Sequence, residues 1–117
     1  MYKTKLIGRE GEAEAARYLE RKGYKIIGLN YSCRYGEIDV IAEKDGCAAI
    51  VEVKLRESAD FAEAREFVTR SKQAKLRRAA LHWLMTSGTE LQPRFDVVEI
   101  YTGGREHIIN HIENAFE

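Results

Sequence analysis

The chain has 117 residues, of which 44% are hydrophobic and only one is proline, and this predicts a single domain over residues 1–117 with one core. Its 19 basic and 19 acidic residues cancel, so bulk charge gives no indication of a polyanionic partner. No run of about 18 apolar residues is present, and residues 1–7 lack the apolar stretch of a signal peptide. We therefore expect a cytoplasmic protein without a membrane segment, in which Cys33 and Cys47 are free thiols.

The first predicted elements are a helix and a strand. Residues 6–22 are predicted to form the helix, which ends at Gly23, and residues 24–31 form the strand. Glu12 precedes Ala16 by one helical turn and shares its inward face. An inward acid needs a partner, although an acid near a helix start also favours the helix dipole without one.

The next predicted element is a hairpin whose turn is Asp45-Gly46. A two-residue turn of this kind needs positive φ at both positions, which Asp-Gly tolerates well, and it places Lys44 opposite Cys47. Because side chains alternate across a strand, the two strands then present one apolar face. That face consists of Ile38, Val40, Ala42, Ala49, Val51, Val53 and Leu55.

The same register places two acids opposite each other on the second face of the hairpin, Asp39 and Glu52, and it places Glu37 opposite Lys54. Opposed Cβ atoms lie about 4.5–5.5 Å apart. Two carboxylates at that distance repel each other unless a cation or a proton lies between them. A metal ion between Asp39 and Glu52 is one interpretation; ordinary ion pairs of Lys54 with Glu37 and Glu52 are the other.

A basic helix follows a charged segment at residues 57–66, which Phe61 and Phe67 are expected to anchor. The helix extends to about Ser87 and closes at Gly88. Five cations and no acid lie between positions 70 and 82: Arg70, Lys72, Lys75, Arg77 and Arg78. Leu76, Ala80, Trp83 and Leu84 recur at helical spacing on the packing face. The basic face is suited to a phosphate backbone, or is simply solvated.

The end of the chain predicts one or two further strands. Pro93 precedes a predicted strand at residues 94–101, and Gly103-Gly104 marks a turn. A helix between two strands lets the second return parallel to the first. The order therefore predicts an α/β protein with a mixed β-sheet flanked by helices.

Two motifs of the hairpin resemble those of a known family. Asp39 followed by Glu52-Val53-Lys54 on the next strand resembles the core of PD-(D/E)xK nucleases. The phrases GEIDVI at 36–41 and VEVK at 51–54 are similar to those of the YraN-type family of small Holliday-junction-resolvase-like proteins. This resemblance covers most of the chain and implies a restriction-endonuclease-like sheet in the order α-β-β-β-α-β-(β).

The resemblance also implies an activity and its residues. It implies a Mg²⁺- or Mn²⁺-dependent endonuclease acting on DNA, with structured or branched DNA as the expected substrate. Asp39, Glu52 and the Val53 carbonyl would bind the metal, an oxygen set that suits these ions. Lys54 would stabilise charge or position water, and Glu12 would complete the catalytic set.

Residues of the basic helix and two histidines are further candidates beside that set. By the same resemblance, Lys72 and Gln73 approach the site, and Glu37 and Gln73 support it from outside. The alternative for the helix residues is a solvated face. His107 and His111 have the spacing of a helical zinc pair, but nothing completes such a site, so they are expected to flank an apolar anchor.

A second function class stays open from the sequence. The fold and its charged face would also suit a module that binds nucleic acid or protein without cutting, and the zero net charge favours that class. A homodimer would join two basic helices into a wider positive surface. Asp96, in a predicted strand, is expected to be structural.

Overall fold

The computed structural model of the protein describes residues 2–57 and 68–117, with side chains from residue 9 onward. Its elements are α1 (Tyr2–Arg21), β1 (Lys25–Cys33), β2 (Gly36–Lys44), β3 (Cys47–Arg56), α2 (Arg70–Ser87), β4 (Gln92–Tyr101) and β5 (Ile108–Phe116). The predicted order is confirmed, and the optional last strand is present. Phe61 and Phe67, predicted as anchors, lie outside the described residues.

The two helices end where the sequence predicts. Gly23 has a φ of 96° and closes α1, with the Tyr24 N–H donating to the Leu19 carbonyl at 3.0 Å. Gly88 has a φ of 69° and closes α2. Helix α1 begins earlier than expected, at Tyr2 rather than Leu6. Neither described helix has the length and apolar character needed to span a bilayer.

The predicted hairpin forms between β2 and β3. Asp45 and Gly46 have φ values of 52° and 79°, so both turn positions adopt the positive φ that this turn requires. Lys44 pairs with Cys47, and the antiparallel ladder extends in that register to Val40 and Val51. The turn and the register are therefore confirmed over this part of the hairpin.

All five strands form one mixed sheet in the order β1-β2-β3-β4-β5. Strands β3 and β4 are parallel over their whole length, because α2 carries the chain back across one face of the sheet. The other neighbouring pairs are antiparallel. The predicted helical crossover and mixed sheet are confirmed.

The sheet is buried on both faces. One core packs beneath α1 and includes Leu19, Val40 and Val51; the other packs beneath α2 and includes Ile50 and Leu76. The predicted pattern places Asp39 and Glu52 on one face of the hairpin. Helix α2 covers the apolar part of that face.

One assignment of the predicted apolar face is wrong. Ile38 packs in the core beneath α2, whereas Val40 and Ala42 pack in the core beneath α1. Strict alternation would put all three side chains on one side. The irregularity lies at Asp39, beyond which the β2–β3 ladder no longer extends, and it falls beside Asn30 of β1, whose φ is 54°.

Candidate functional site

The candidate site lies where β2 and β3 part. Their ladder ends at Val40 and Val51, so the predicted opposition of Asp39 and Glu52 falls one position outside it. Beyond the ladder, the Val53 N–H donates to Asp39 Oδ2 at 2.8 Å. The Asp39 carboxylate thus accepts the hydrogen bond that a backbone carbonyl of β2 would accept in a regular ladder. Asp39 and Glu52 both lie at the opening between the two strands.

The backbone of Val53 has a direction that matters for the site. In a strand, the N–H and the carbonyl of one residue point to the same side. Since the Val53 N–H reaches Asp39, its carbonyl also faces the β2 side. This orientation is compatible with the role predicted for that oxygen.

Glu12 joins the site from α1. Its carboxyl interacts with the side chains of Asp39 and Asn30, and burial together with the negative charge of Glu37 raises its pKa. One of its oxygens, Oε1, is buried without a hydrogen-bond partner within the described residues. The inward orientation predicted for Glu12 is therefore present, and an unpartnered oxygen points to a missing ligand.

A glycine lets α1 come this close. A Cβ on Gly11 would lie 2.8 Å from Leu55 Cδ2 of β3, so a larger residue here would require the Leu55 side chain to move. Gly11 thus lets α1 lie directly against the Leu55 side chain.

Burial and the charge of a neighbouring acid raise the pKa of both Asp39 and Glu52. Burial and the charge of Glu12 raise the pKa of Asp39 to about 6, against the hydrogen bond from Val53, which lowers it. Burial and the charge of Asp39 raise the pKa of Glu52, while Lys72 and Lys54 lower it. Such mutual repulsion in a partly desolvated place favours a bound cation.

One cation already approaches the acids from α2. The Lys72 ammonium lies 3.3 Å from Glu52 Oε2, and the two side chains are 47% and 7% exposed. The helix starts at this point because the Thr69 side chain accepts a hydrogen bond from the Lys72 N–H. Lys72 was predicted to approach the site, and its pairing with Glu52 is an ion pair that register alone does not give.

Lys54 and Gln73, two other predicted site residues, line one cavity of about 110 Å³ on the α2 side of the sheet. The charge of Lys54 acts on Glu52, while the Gln73 side chain donates to the Val68 carbonyl at 2.9 Å. Glu37 lies opposite Ser32 of β1 and is exposed. The ion pair predicted between Glu37 and Lys54 is not among the described contacts.

The predicted basic face of α2 is exposed. This holds for Arg70, Lys72, Lys75, Arg77 and Arg78, whereas Leu76, Ala79 and Ala80 are buried beneath the helix. Arg77 also donates to the backbone carbonyl of Glu117 at 2.7 Å. Lys72 forms an ion pair with Glu52. Within the described contacts, the remaining cations, Arg70, Lys75 and Arg78, form no ion pair and are available to a phosphate backbone.

The remaining predicted residues have structural partners. Asp96 is fully buried and accepts from Arg94 and His111 at 2.7 and 2.8 Å. Burial raises the pKa of this carboxyl, but the hydrogen bonds outweigh burial and hold the pKa below its usual value. His107 contacts Glu14 of α1 at 2.8 Å. His111 lies in β5, not in a helix, so the two histidines do not form a helical pair.

The fit of a divalent metal can be judged from the donors. Across residues 2–57 and 68–117, no three His, Cys, Asp or Glu side chains are grouped closely enough to hold a metal ion by themselves. Asp39, Glu52 and the Val53 carbonyl supply oxygen donors, the type that Mg²⁺ and Mn²⁺ prefer. Glu12, which interacts with Asp39, has an oxygen, Oε1, that is unpartnered within the described residues. The type of donor therefore fits the ion, while the described acid side chains do not form a complete set of ligands by themselves.

Asn30 is the site residue that the sequence did not indicate. Its side chain interacts with Glu12, and its φ of 54° interrupts a strand. Asparagine within a strand pattern is a signal of irregular backbone, and that signal was present.

Together these features define a small α/β protein with a five-stranded mixed sheet and an acidic site, flanked by lysines, where two strands part. The family described as uncharacterised protein family UPF0102 has a sequence model that matches residues 11–100. The chain belongs to this family.

Relatives are similar over nearly their whole length. A UPF0102 protein of Caldanaerobacter subterraneus is 41% identical over 116 residues, which cover 96% of this chain and 95% of the relative. A UPF0102 protein of Syntrophomonas wolfei is 43% identical over 111 residues, covering 94% and 96%. One from Flavobacterium psychrophilum is 36% identical over 110 residues, covering 94% and 92%.

Proposed function

We propose that the chain is a divalent-metal-dependent phosphodiesterase that cuts DNA within the strand. The observation that carries the proposal is the position of Asp39, which interacts with Glu12 on α1 and with Glu52 on β3 and is anchored by the Val53 N–H at 2.8 Å. Acids whose pKa is raised by burial and by a neighbouring acid are typical of a functional site.

Asp39, Glu52 and the Val53 carbonyl would hold Mg²⁺ or Mn²⁺, with Glu12 as the further acid. The bound ion would supply neutralisation of phosphate charge and a more acidic water. Asn30 hydrogen-bonds the Glu12 carboxyl, and the Val53 N–H orients Asp39. These contacts fix the oxygens before a ligand arrives, which reduces the reorganisation that binding requires.

Lys54 would act on the scissile phosphate. It follows Glu52 by two residues on β3, so both side chains leave the same face of the sheet. As a flexible point cation it is suited to contact a phosphate oxygen whose charge increases during attack, or to orient the attacking water. Gln73 lines the same cavity as Lys54 and contributes its side-chain amide to that cavity.

The exposed cations of α2 would hold the DNA. They lie on the helix whose first turn reaches Glu52 through Lys72, so a backbone that follows them arrives at the acids. A homodimer is part of the proposal, since two such helices would make a wider surface for structured DNA. Light scattering with and without DNA measures that state directly.

The proposal is tested by cleavage of labelled single-stranded, duplex, flap and four-way-junction DNA with Mg²⁺ or Mn²⁺. Glu52→Gln should abolish cutting and weaken Mn²⁺ binding in calorimetry. Glu43→Gln, the same change at the other end of the hairpin, should leave both unchanged. Cutting that survives Glu52→Gln would refute the proposal.

A second candidate is a module that binds nucleic acid or protein without cutting. The ion pair of Lys72 with Glu52 at 3.3 Å favours it, because an ammonium already neutralises part of the acidic charge. DNA binding without any metal-dependent cleavage, and without Mn²⁺ binding at millimolar concentration, would decide for this candidate.

A further inference from the structure

A groove lies between α2 and the turn that joins β1 to β2. It has a volume of about 470 Å³ and is lined by Tyr35, Arg78, Leu81, His82, Met85 and Thr86. Tyr35 comes from the turn between β1 and β2, and the other residues come from the helix. The volume is within the range of small-molecule sites.

The groove exposes apolar and aromatic surface that nothing in the described residues covers. Leu81 and Met85 are 57% and 74% exposed, and Tyr35 is 38% exposed. The rings of Tyr35 and His82 have centroids 6.1 Å apart. Flat apolar surface of this kind is suited to stacking with a planar ring.

His82 is held in place by a hydrogen bond. The Tyr31 hydroxyl and His82 Nδ1 are 2.6 Å apart. This contact holds the orientation of the imidazole, so the ring offers a fixed face for stacking.

The charge around the groove is positive. None of the described residues that line it is acidic, and the Arg34 guanidinium lies 5.2 Å from the Tyr35 ring centroid. Lys72, Lys75 and Arg78 follow one another at three-residue spacing along one side of α2. With Lys72 at Glu52, this row of cations connects the acids to the groove.

The dimensions match a strand of nucleic acid. A helix rises about 1.5 Å per residue, so His82 lies about 15 Å along the axis from Lys72. A backbone that follows the three cations from the acids would bring a base a few nucleotides away to the groove. A base within a duplex is stacked on its neighbours and cannot enter, whereas an unpaired base can.

We propose that this groove binds an unpaired nucleobase of the substrate, so that the preferred substrates are nucleic acids with single-stranded nucleotides beside the cleaved phosphate. The inference rests on the proposed function for the path of the strand. It assigns to Tyr35, His82 and Met85 the stacking of the base and to Lys75 and Arg78 the phosphates that lead to it.

The test measures binding rather than cutting. Fluorescence anisotropy in EDTA gives the affinity of the full chain for labelled single-stranded, flap and fully paired DNA. Tyr35→Ala should weaken binding of the first two about tenfold, the order expected for one stacked base, and leave the duplex unchanged. Tyr35→Phe should retain wild-type affinity, and Met85→Ala should reproduce part of the loss.

Ile108→Ala is the matched control, since Ile108 is 62% exposed and lies outside the groove. Equal loss on paired and unpaired DNA, or no loss with either groove variant, would overturn the inference. A change in oligomeric state with Tyr35→Ala would instead assign the groove to a second copy of the chain and also overturn it. If Glu52→Gln abolishes cleavage, the proposed function is supported whether or not the groove binds a base.

Discussion

The ionised carboxylate of Asp39 is destabilised by folding, so removing its charge should increase the free energy of unfolding. Its pKa of about 6 in the folded chain exceeds the usual value, so its ionised form is disfavoured by folding. The penalty is fully present above pH 6 and disappears as the pH falls through 6 toward 4. Asp39→Asn should therefore raise the free energy of unfolding of the metal-free protein by about 1–2 kcal/mol at pH 7.5.

Urea denaturation in EDTA at pH 7.5 and at pH 3.5 measures this difference. Asp45→Asn is the matched control, because it makes the same change in the exposed turn, where Asn also tolerates positive φ. It should change stability by less than about 0.5 kcal/mol. A loss of stability with Asp39→Asn at pH 7.5 would contradict the assigned pKa direction.

Lys72 occupies the position beside Glu52 that a metal ion would compete for. Lys72→Met should tighten Mn²⁺ binding two- to five-fold, about the free energy of a partly exposed ion pair, because Glu52 loses its competing ammonium. DNA binding should weaken at the same time. Lys75→Met, with no ion pair to an acid among the described contacts, should weaken DNA binding and leave Mn²⁺ binding unchanged. Calorimetry and anisotropy separate the two, and weaker Mn²⁺ binding by Lys72→Met would contradict this explanation.

Part of the site follows from local sequence rules. The Asp45-Gly46 turn determines the register, and the register brings Asp39 and Glu52 to the same part of the hairpin. The hydrogen bond from Val53 to Asp39 was not predictable, because it exists only where the ladder ends. Contact of Glu12 with Asn30 depends on how α1 crosses the sheet, which no local pattern encodes.

At the scale of elements, the loop after β4 is held against the end of β3. The Thr102 N–H donates to the Arg56 carbonyl at 2.8 Å, and a Cβ on Gly103 would clash with the Glu57 carbonyl oxygen. Gly103→Ala should lower the free energy of unfolding by about 1–3 kcal/mol, since backbone must move to relieve the clash.

Gly104 is the natural comparison for that substitution. A Cβ there would come no closer than 3.8 Å to its nearest neighbour, Glu106, which is ordinary contact. Gly104→Ala should therefore have little effect in the same urea denaturation. Equal stability of the two variants would mean that the loop does not approach β3 as described.

The elements themselves were largely predictable, since alternation, caps and turn residues act locally. The pairing of β5 with β4 is different. It is held by buried polar contacts, with Asp96 accepting from His111 of β5 and from the Asn114 N–H. An acid in an apolar strand indicates a partner, but only the fold identifies which residue that partner is.

At the scale of the whole molecule, the zero net charge conceals an uneven distribution of acidic and basic residues over the surface. The acids of the site are gathered between β2, β3 and α1, while cations occupy the exposed face of α2. Electrostatic attraction of a polyanion depends on that local arrangement rather than on the sum. Composition alone therefore could not show a face suited to phosphates.

This uneven charge distribution predicts how DNA affinity depends on salt concentration. If DNA follows α2, the double variant Lys75→Ala/Arg78→Ala removes two phosphate contacts, and the slope of log affinity against log salt for duplex DNA should become shallower by about 1.8. The matched control is Arg17→Ala/Arg21→Ala, two exposed cations of α1 on the opposite side of the sheet. That variant has the same net charge but should keep the wild-type slope. Titrations of labelled duplex across a salt series measure both slopes, and equal changes in the two variants would mean that DNA responds to total charge and not to the face of α2.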